Sequence, residues 1–152
     1  MSTRCNVIIS ETFTYRAGNG KPVSKTRETI FYRHHDGYPE TVLPELEKLS
    51  DWIKRGLLRG DLIQSSAWLV IIGAIVYNTI PKFKTEATEG GTEYGVLDSI
   101  EDPKDWKAGA YEITDGIHGD ISYLYRLELP GATVKAFKVS YNNEDKQEFT
   151  EL

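Results

Sequence analysis

Two short segments hold all three histidines of the chain, each beside aspartate and glycine. The first is Tyr32-Arg33-His34-His35-Asp36-Gly37-Tyr38-Pro39-Glu40, and the second is Thr114-Asp115-Gly116-Ile117-His118-Gly119-Asp120. Imidazole and carboxylate ligands suit zinc, manganese or iron, so His34 or His35, Asp36, His118 and Asp115 or Asp120 could form a metal or acid–base site. Their spacing argues against the simplest version. His34 and His35 are neighbours on a predicted strand, so their side chains leave on opposite faces and do not easily share one ion. His34 and Asp36 can share a face, but two ligands are not a site. In the plainer reading the Asp-Gly pairs serve turn geometry and the histidines are polar residues near a sheet edge.

Other chemistry has less support. Cys5 lies in an apolar strand pattern, where a free cysteine behaves as a small hydrophobe, and no Gly-x-Ser-x-Gly elbow is present. Gly18-Asn19-Gly20-Lys21-Pro22 is glycine-rich, yet no helical pattern follows to offer its amide end to a phosphate, so a hairpin turn accounts for it. Charge is distributed unevenly. Residues 1–60 carry ten basic and seven acidic side chains, whereas residues 61–152 carry eight and sixteen. In the first hairpin Arg4, Arg16, Lys21, Lys25, Arg27 and Arg33 face only Glu11 and Glu28. Arginines beside Tyr15, Tyr32 and Tyr38 could clamp a phosphorylated small molecule, guanidinium on phosphate and ring on base. Solvated edge-strand charges that discourage aggregation are the competing account.

The elements that must position these groups follow from periodicity. Residues 5–34 read as a β-hairpin, with β-branched and aromatic runs on either side of the turn from Ala17 to Pro22. Thr41 can cap a first helix, with Pro44 in its first turn and Val42, Leu46, Leu49, Ile53 and Leu57 as one buried stripe. Gly56 or Gly60 stops it. Asp61 with Gln64 starts a second helix that is apolar on most faces and runs to about Tyr77. Such a helix is either central to the core or part of an oligomer contact through residues 62–79. Residues 82–108 read as a long acidic loop, with four lysines against seven acids. A three-stranded meander is predicted next, over Ala110–Thr114, Ile121–Leu129 and Thr133–Tyr141, with Pro130-Gly131 as a type II turn. Residues 142–152 form a polar tail prone to fraying.

The order ββ-αα-βββ argues for one α+β domain over 1–152, a mostly antiparallel sheet with two helices on one face. A chain of 152 residues fits one core. Its net charge of −5 excludes a wholly basic nucleic-acid binder, and no direct nucleic-acid contact is expected. One cysteine implies a reducing compartment. The longest apolar run, Ala67 to Tyr77, is too short to cross a membrane, and the first residues lack a signal-peptide pattern. A cytoplasmic protein is expected.

At Thr3-Arg4-Cys5-Asn6-Val7-Ile8, at the segment from Tyr32 to Glu40 and at Asp115 to Tyr125, the sequence resembles a family of small bacterial, phage and prophage proteins. Members share a Thr-Arg pair before a short strand and a Tyr-x-His-x-Asp-Gly-Tyr signature about thirty residues on, matched here by Thr3, Arg4, Tyr32, His34, Asp36, Gly37 and Tyr38. The resemblance implies a mobile-element setting, in which small acidic proteins block a host defence by binding a component or sequestering its nucleotide signal. The leading expectation is therefore a non-enzymatic binding protein without a cofactor. It would engage a host defence protein or an anionic nucleotide-type ligand through Arg4, Arg33, His34, His35, Asp36, Tyr38, His118 and Asp120. The alternative is a metal-dependent phosphoester hydrolase using His34, Asp36, His118 and Asp120.

Overall fold

The computed structural model describes residues 2–77 and 110–152. The elements run β1 (Cys5–Arg16), β2 (Pro22–Arg33), α1 (Pro39–Lys54), α2 (Leu62–Tyr77), β3 (Glu112–Thr114), β4 (Tyr123–Leu129), β5 (Thr133–Tyr141) and β6 (Gln147–Glu151). They form one α+β domain, as the sequence predicts: a six-stranded sheet with both helices packed on one face. The predicted loop 82–108 lies outside the described residues.

The strand order is β3-β2-β1-β4-β5-β6. β1 and β2 pair antiparallel along their full length, from Cys5 opposite Arg33 to Arg16 opposite Pro22. On its other side β1 pairs parallel with β4, from Cys5 opposite Tyr123 to Glu11 opposite Leu129. The predicted meander is thus corrected: β3 joins the far edge against Ile30–Tyr32 of β2, while β4, β5 and β6 run antiparallel in succession. A parallel pair needs a long crossover, and α1 and α2 belong to it. The central position of β1 explains its unbroken apolar start, since Cys5 to Ser10 are buried on both faces. The tail is also corrected: it holds β6, whose Gln147–Glu151 backbone completes the edge of β5.

Strand alternation sorts the side chains into two layers. Cys5, Val7, Ile9, Phe31, Tyr125, Leu127 and Leu129 face the helices, where they meet Val42, Leu46, Leu49, Ile53, Leu62, Leu69 and Ile72. Ile8, Leu124 and Val139 face the opposite, helix-free side, where Ile121 covers them with Ile30, Tyr32 and Phe137. In α1 the first four residues of the predicted stripe are buried, but Leu57 is exposed because the helix ends at Lys54 and Gly56 turns at φ 72°. The helix begins earlier than Thr41: Tyr38 is its N-cap residue without a side-chain cap, and Pro39 occupies the first turn, where no amide partner is lost. Asp61 caps α2 as expected, accepting the Gln64 N–H at 2.8 Å.

The left-handed residue of the turn after β4 is Ala132 rather than Gly131, so the predicted type II turn over Pro130-Gly131 is not formed. α2 leaves Ile63, Ile71, Ile75 and Val76 exposed. Among the described residues no helix is long and apolar enough to cross a membrane.

Candidate functional site

The two histidine segments meet. They do so around Tyr32, the last open-face residue of β2, at the corner of the sheet away from the helices. The His118 ring stacks on Tyr32 with centroids 3.9 Å apart and planes 12° apart. The Tyr32 hydroxyl lies 3.2 Å from His34 Nδ1 and 3.4 Å from Asp120 Oδ2. Asp120 in turn pairs with Arg4 at 3.2 Å. His35 stands edge-on to His34 at 4.5 Å, and its Nδ1 meets the Ser2 hydroxyl. Arg4, Tyr32, His34, His35, His118 and Asp120 therefore form one continuous polar surface drawn from three stretches of chain.

Its frame is built around one buried polar group. Asn6 is fully buried in the apolar start of β1. Its Nδ2 donates to the Phe31 carbonyl and its Oδ1 accepts the His118 backbone N–H, both at 2.8 Å. The His118 carbonyl accepts from Gln147 Nε2 at 2.8 Å, and its Nε2 sits 3.1 Å from the Thr114 hydroxyl. Tyr141 donates to the Gly119 carbonyl at 2.7 Å, tying the same turn to β5. The imidazole is thereby held at its backbone and at one ring nitrogen, which keeps the stacked pair in place before any ligand arrives. Burial, reinforced by the negative charge of Asp120, holds the Tyr32 phenol above its ordinary pKa, so it acts as a neutral donor.

Three of the expected site residues lie elsewhere. Arg33 is corrected outright. It follows Tyr32 on β2, so alternation sends it to the helix side, where it is 1% exposed. Its Nη1 donates to both carboxylate oxygens of Glu45, at 3.0 and 3.1 Å, and to the Tyr111 hydroxyl at 3.1 Å. Its Nε donates to the His35 carbonyl at 2.8 Å, and the guanidinium lies 5.1 Å from the centre of the Tyr111 ring. That guanidinium has no exposed face for a ligand. Asp36 is exposed in the left-handed region at φ 56°, where its role is to turn the chain into α1. Tyr38 caps that helix, with its ring 6.3 Å from Tyr123 on the helix side.

Hence His34, Asp36, His118 and Asp120 do not assemble as the hydrolase reading requires. Among the described residues no group of three or more His, Cys, Asp or Glu side chains is placed to hold a metal ion. Burial pushes the Cys5 thiol up to about 12, which leaves it without thiolate character. Asn6 and Glu45 are structural supports that reading by motif missed. The signal for Asn6 was a polar residue inside an otherwise apolar strand, which must find partners when buried. Comparison with known proteins finds no matching family model, curated protein or solved structure.

Proposed function

We propose that this chain is a non-enzymatic binding protein whose Tyr32 corner takes a phosphorylated, nucleotide-type small ligand. Arg4 supplies the cation for the phosphate, and the Tyr32–His118 stack with the edge of His34 offers flat surface to a base. The single observation that carries this reading is the convergence of Arg4, Tyr32, His34, His118 and Asp120 at one half-exposed corner. An Arg4–Asp120 pair in solvent is worth little, so a ligand phosphate can compete for the guanidinium. The family resemblance supports a phage or prophage setting, where sequestering a signal nucleotide in the host cytoplasm would blunt a defence.

The test is isothermal titration of the full chain with ADP as probe, alongside Arg4→Ala and His118→Ala. Binding is expected, with each substitution weakening it about tenfold, the scale of one charge-assisted hydrogen bond or one stacked pair. Affinity unchanged by both substitutions, or no binding of ADP at millimolar concentration, overturns the reading.

A further inference from the structure

Neither the core nor the Tyr32 corner uses the outer half of the β1–β2 hairpin. β1 pairs with β4 only as far as Glu11, and β2 pairs with β3 only at Ile30–Tyr32. Residues 12–16 and 22–26 therefore bond only to each other and project as a two-stranded ribbon. Residues 12–27 carry four basic side chains, Arg16, Lys21, Lys25 and Arg27, and no acidic one, inside a chain of net charge −5. The expectation of no nucleic-acid contact came from that net charge, which averages this arm away.

The two faces of the ribbon differ. One bears hydroxyl pairs, Thr12 with Thr26 at 3.0 Å and Thr14 with Ser24 at 3.1 Å. The other carries Phe13 and Tyr15 side by side, ring centroids 6.3 Å apart, with exposures of 39% and 40%. On that same face Lys25 Nζ lies 5.6 Å from the centre of the Tyr15 ring, and the Arg27 guanidinium lies 5.7 Å from that of Phe13. An open groove of about 640 Å³ continues from Phe13 along Arg59, Gly60, Asp61 and Pro130.

The two carboxylates beside this groove are already engaged by the start of α2. Glu11 takes Arg27 and the Leu62 N–H, while Asp61 takes Arg59 and the Gln64 N–H. Arg16, Lys21 and Lys25 have no ion pair among the described residues.

We propose that this ribbon binds single-stranded nucleic acid, with bases stacked on Phe13 and Tyr15 and phosphates on the surrounding cations. Exposed rings with Lys25 beside them, and with Arg16 and Lys21 at the hairpin end, suit a strand whose bases are free to stack and whose backbone is charged. A duplex hides its base faces and would leave the rings unused. An acidic protein would meet the cations but draw no comparable gain from the rings.

The test is fluorescence anisotropy of labelled oligothymidylate with the full chain. Binding is expected to weaken about 20-fold between about 50 mM and about 200 mM salt, because roughly three phosphates met by Arg16, Lys21 and Lys25 give a log–log slope near −2.1. Phe13→Ala and Tyr15→Ala should each weaken it about tenfold, and Lys25→Ala should flatten the slope by about 0.7. Circular dichroism melts check that these exposed positions leave folding intact. No binding at low salt, equal affinity for the duplex with oligodeoxyadenylate, or loss of no affinity in the two ring variants overturns the proposal. So does displacement by polyglutamate as effective as by unlabelled oligothymidylate, since charge alone would then be read.

Discussion

Arg33→Ala separates a buried support from a binding residue. The guanidinium holds both oxygens of Glu45, the Tyr111 hydroxyl and the His35 carbonyl, with its own side chain fully buried and that of Glu45 12% exposed. Truncation leaves a mostly buried carboxylate without its cation and opens space against Tyr111. Breaking a buried pair from one side costs about 3–5 kcal/mol, a large share of the roughly 5–15 kcal/mol that holds a domain folded. For a chain of this length that is a fall in Tm of about 6–20 °C.

Urea unfolding followed by circular dichroism measures it, with m unchanged if only the native state is affected. The pH dependence sharpens the test. Burial raises the Glu45 carboxyl even with Arg33 present, and Arg33 opposes that rise. Without Arg33 the folded-state pKa climbs further, and a raised carboxyl stabilises the fold below its unfolded value and loses that contribution as pH rises. The deficit of Arg33→Ala relative to wild type should therefore be smallest at and below the ordinary carboxyl value of 4.5 and grow toward neutrality. The double variant Arg33→Met with Glu45→Leu should recover much of the loss, because an apolar pair of similar size can replace a buried ion pair. A loss below about 1 kcal/mol at neutral pH, or a deficit that shrinks as pH rises, would refute the reasoning.

Three further outcomes are expected. Gly37→Ala should destabilise by about 1–3 kcal/mol in urea unfolding, since its Cβ would sit 2.9 Å from the Thr3 carbonyl oxygen, just before β1, and 3.0 Å from Cys5 Cβ, at its first residue. Asp61→Ala should lose about 1 kcal/mol through the missing α2 cap, read as a lowered Tm, and Asp61→Asn should restore most of it. Cys5, with its thiol raised to about 12, should resist iodoacetamide in the native state and react only at the unfolding rate; rapid labelling of folded protein would contradict its placement.

How far the sequence disclosed this molecule depended on the range of the interaction that decided each feature. Helical periodicity found Val42, Leu46, Leu49 and Ile53 because each turn repeats the same local geometry. The hairpin turn around Gly20, at φ 78°, was equally local. Strand neighbours were not: β3 pairs with β2, about eighty positions back, and β4 pairs parallel with β1, choices made by packing rather than by adjacency. The same limit governed the site. His34 and His118 were singled out by residue type, and their meeting at Tyr32 follows from pairing that no short window contains. Arg33 failed for a simpler reason. A basic residue near histidines suggests a ligand clamp, although its parity on β2 matches buried Phe31 and requires a partner such as Glu45.

That parity also explains why one hairpin can carry two surfaces without conflict. From Cys5 to Glu11, β1 is paired on both sides, so its register and the aim of every open-face side chain are fixed. Asn6 is placed there to hold His118, and Tyr32 opposite it carries the corner. Past Glu11 the parallel neighbour ends, and the same two strands continue with exposed side chains. Glu11 itself marks the change, with Arg27 across the ribbon and the α2 amide end both on its carboxylate. The rigid half suits a ligand that must be read by orientation, and the projecting half suits a chain-like partner read by charge and stacking. Substituting Glu11 should therefore weaken the anchorage of the ribbon while leaving the Tyr32–His118 stack, fixed through Asn6 on the other face, in place.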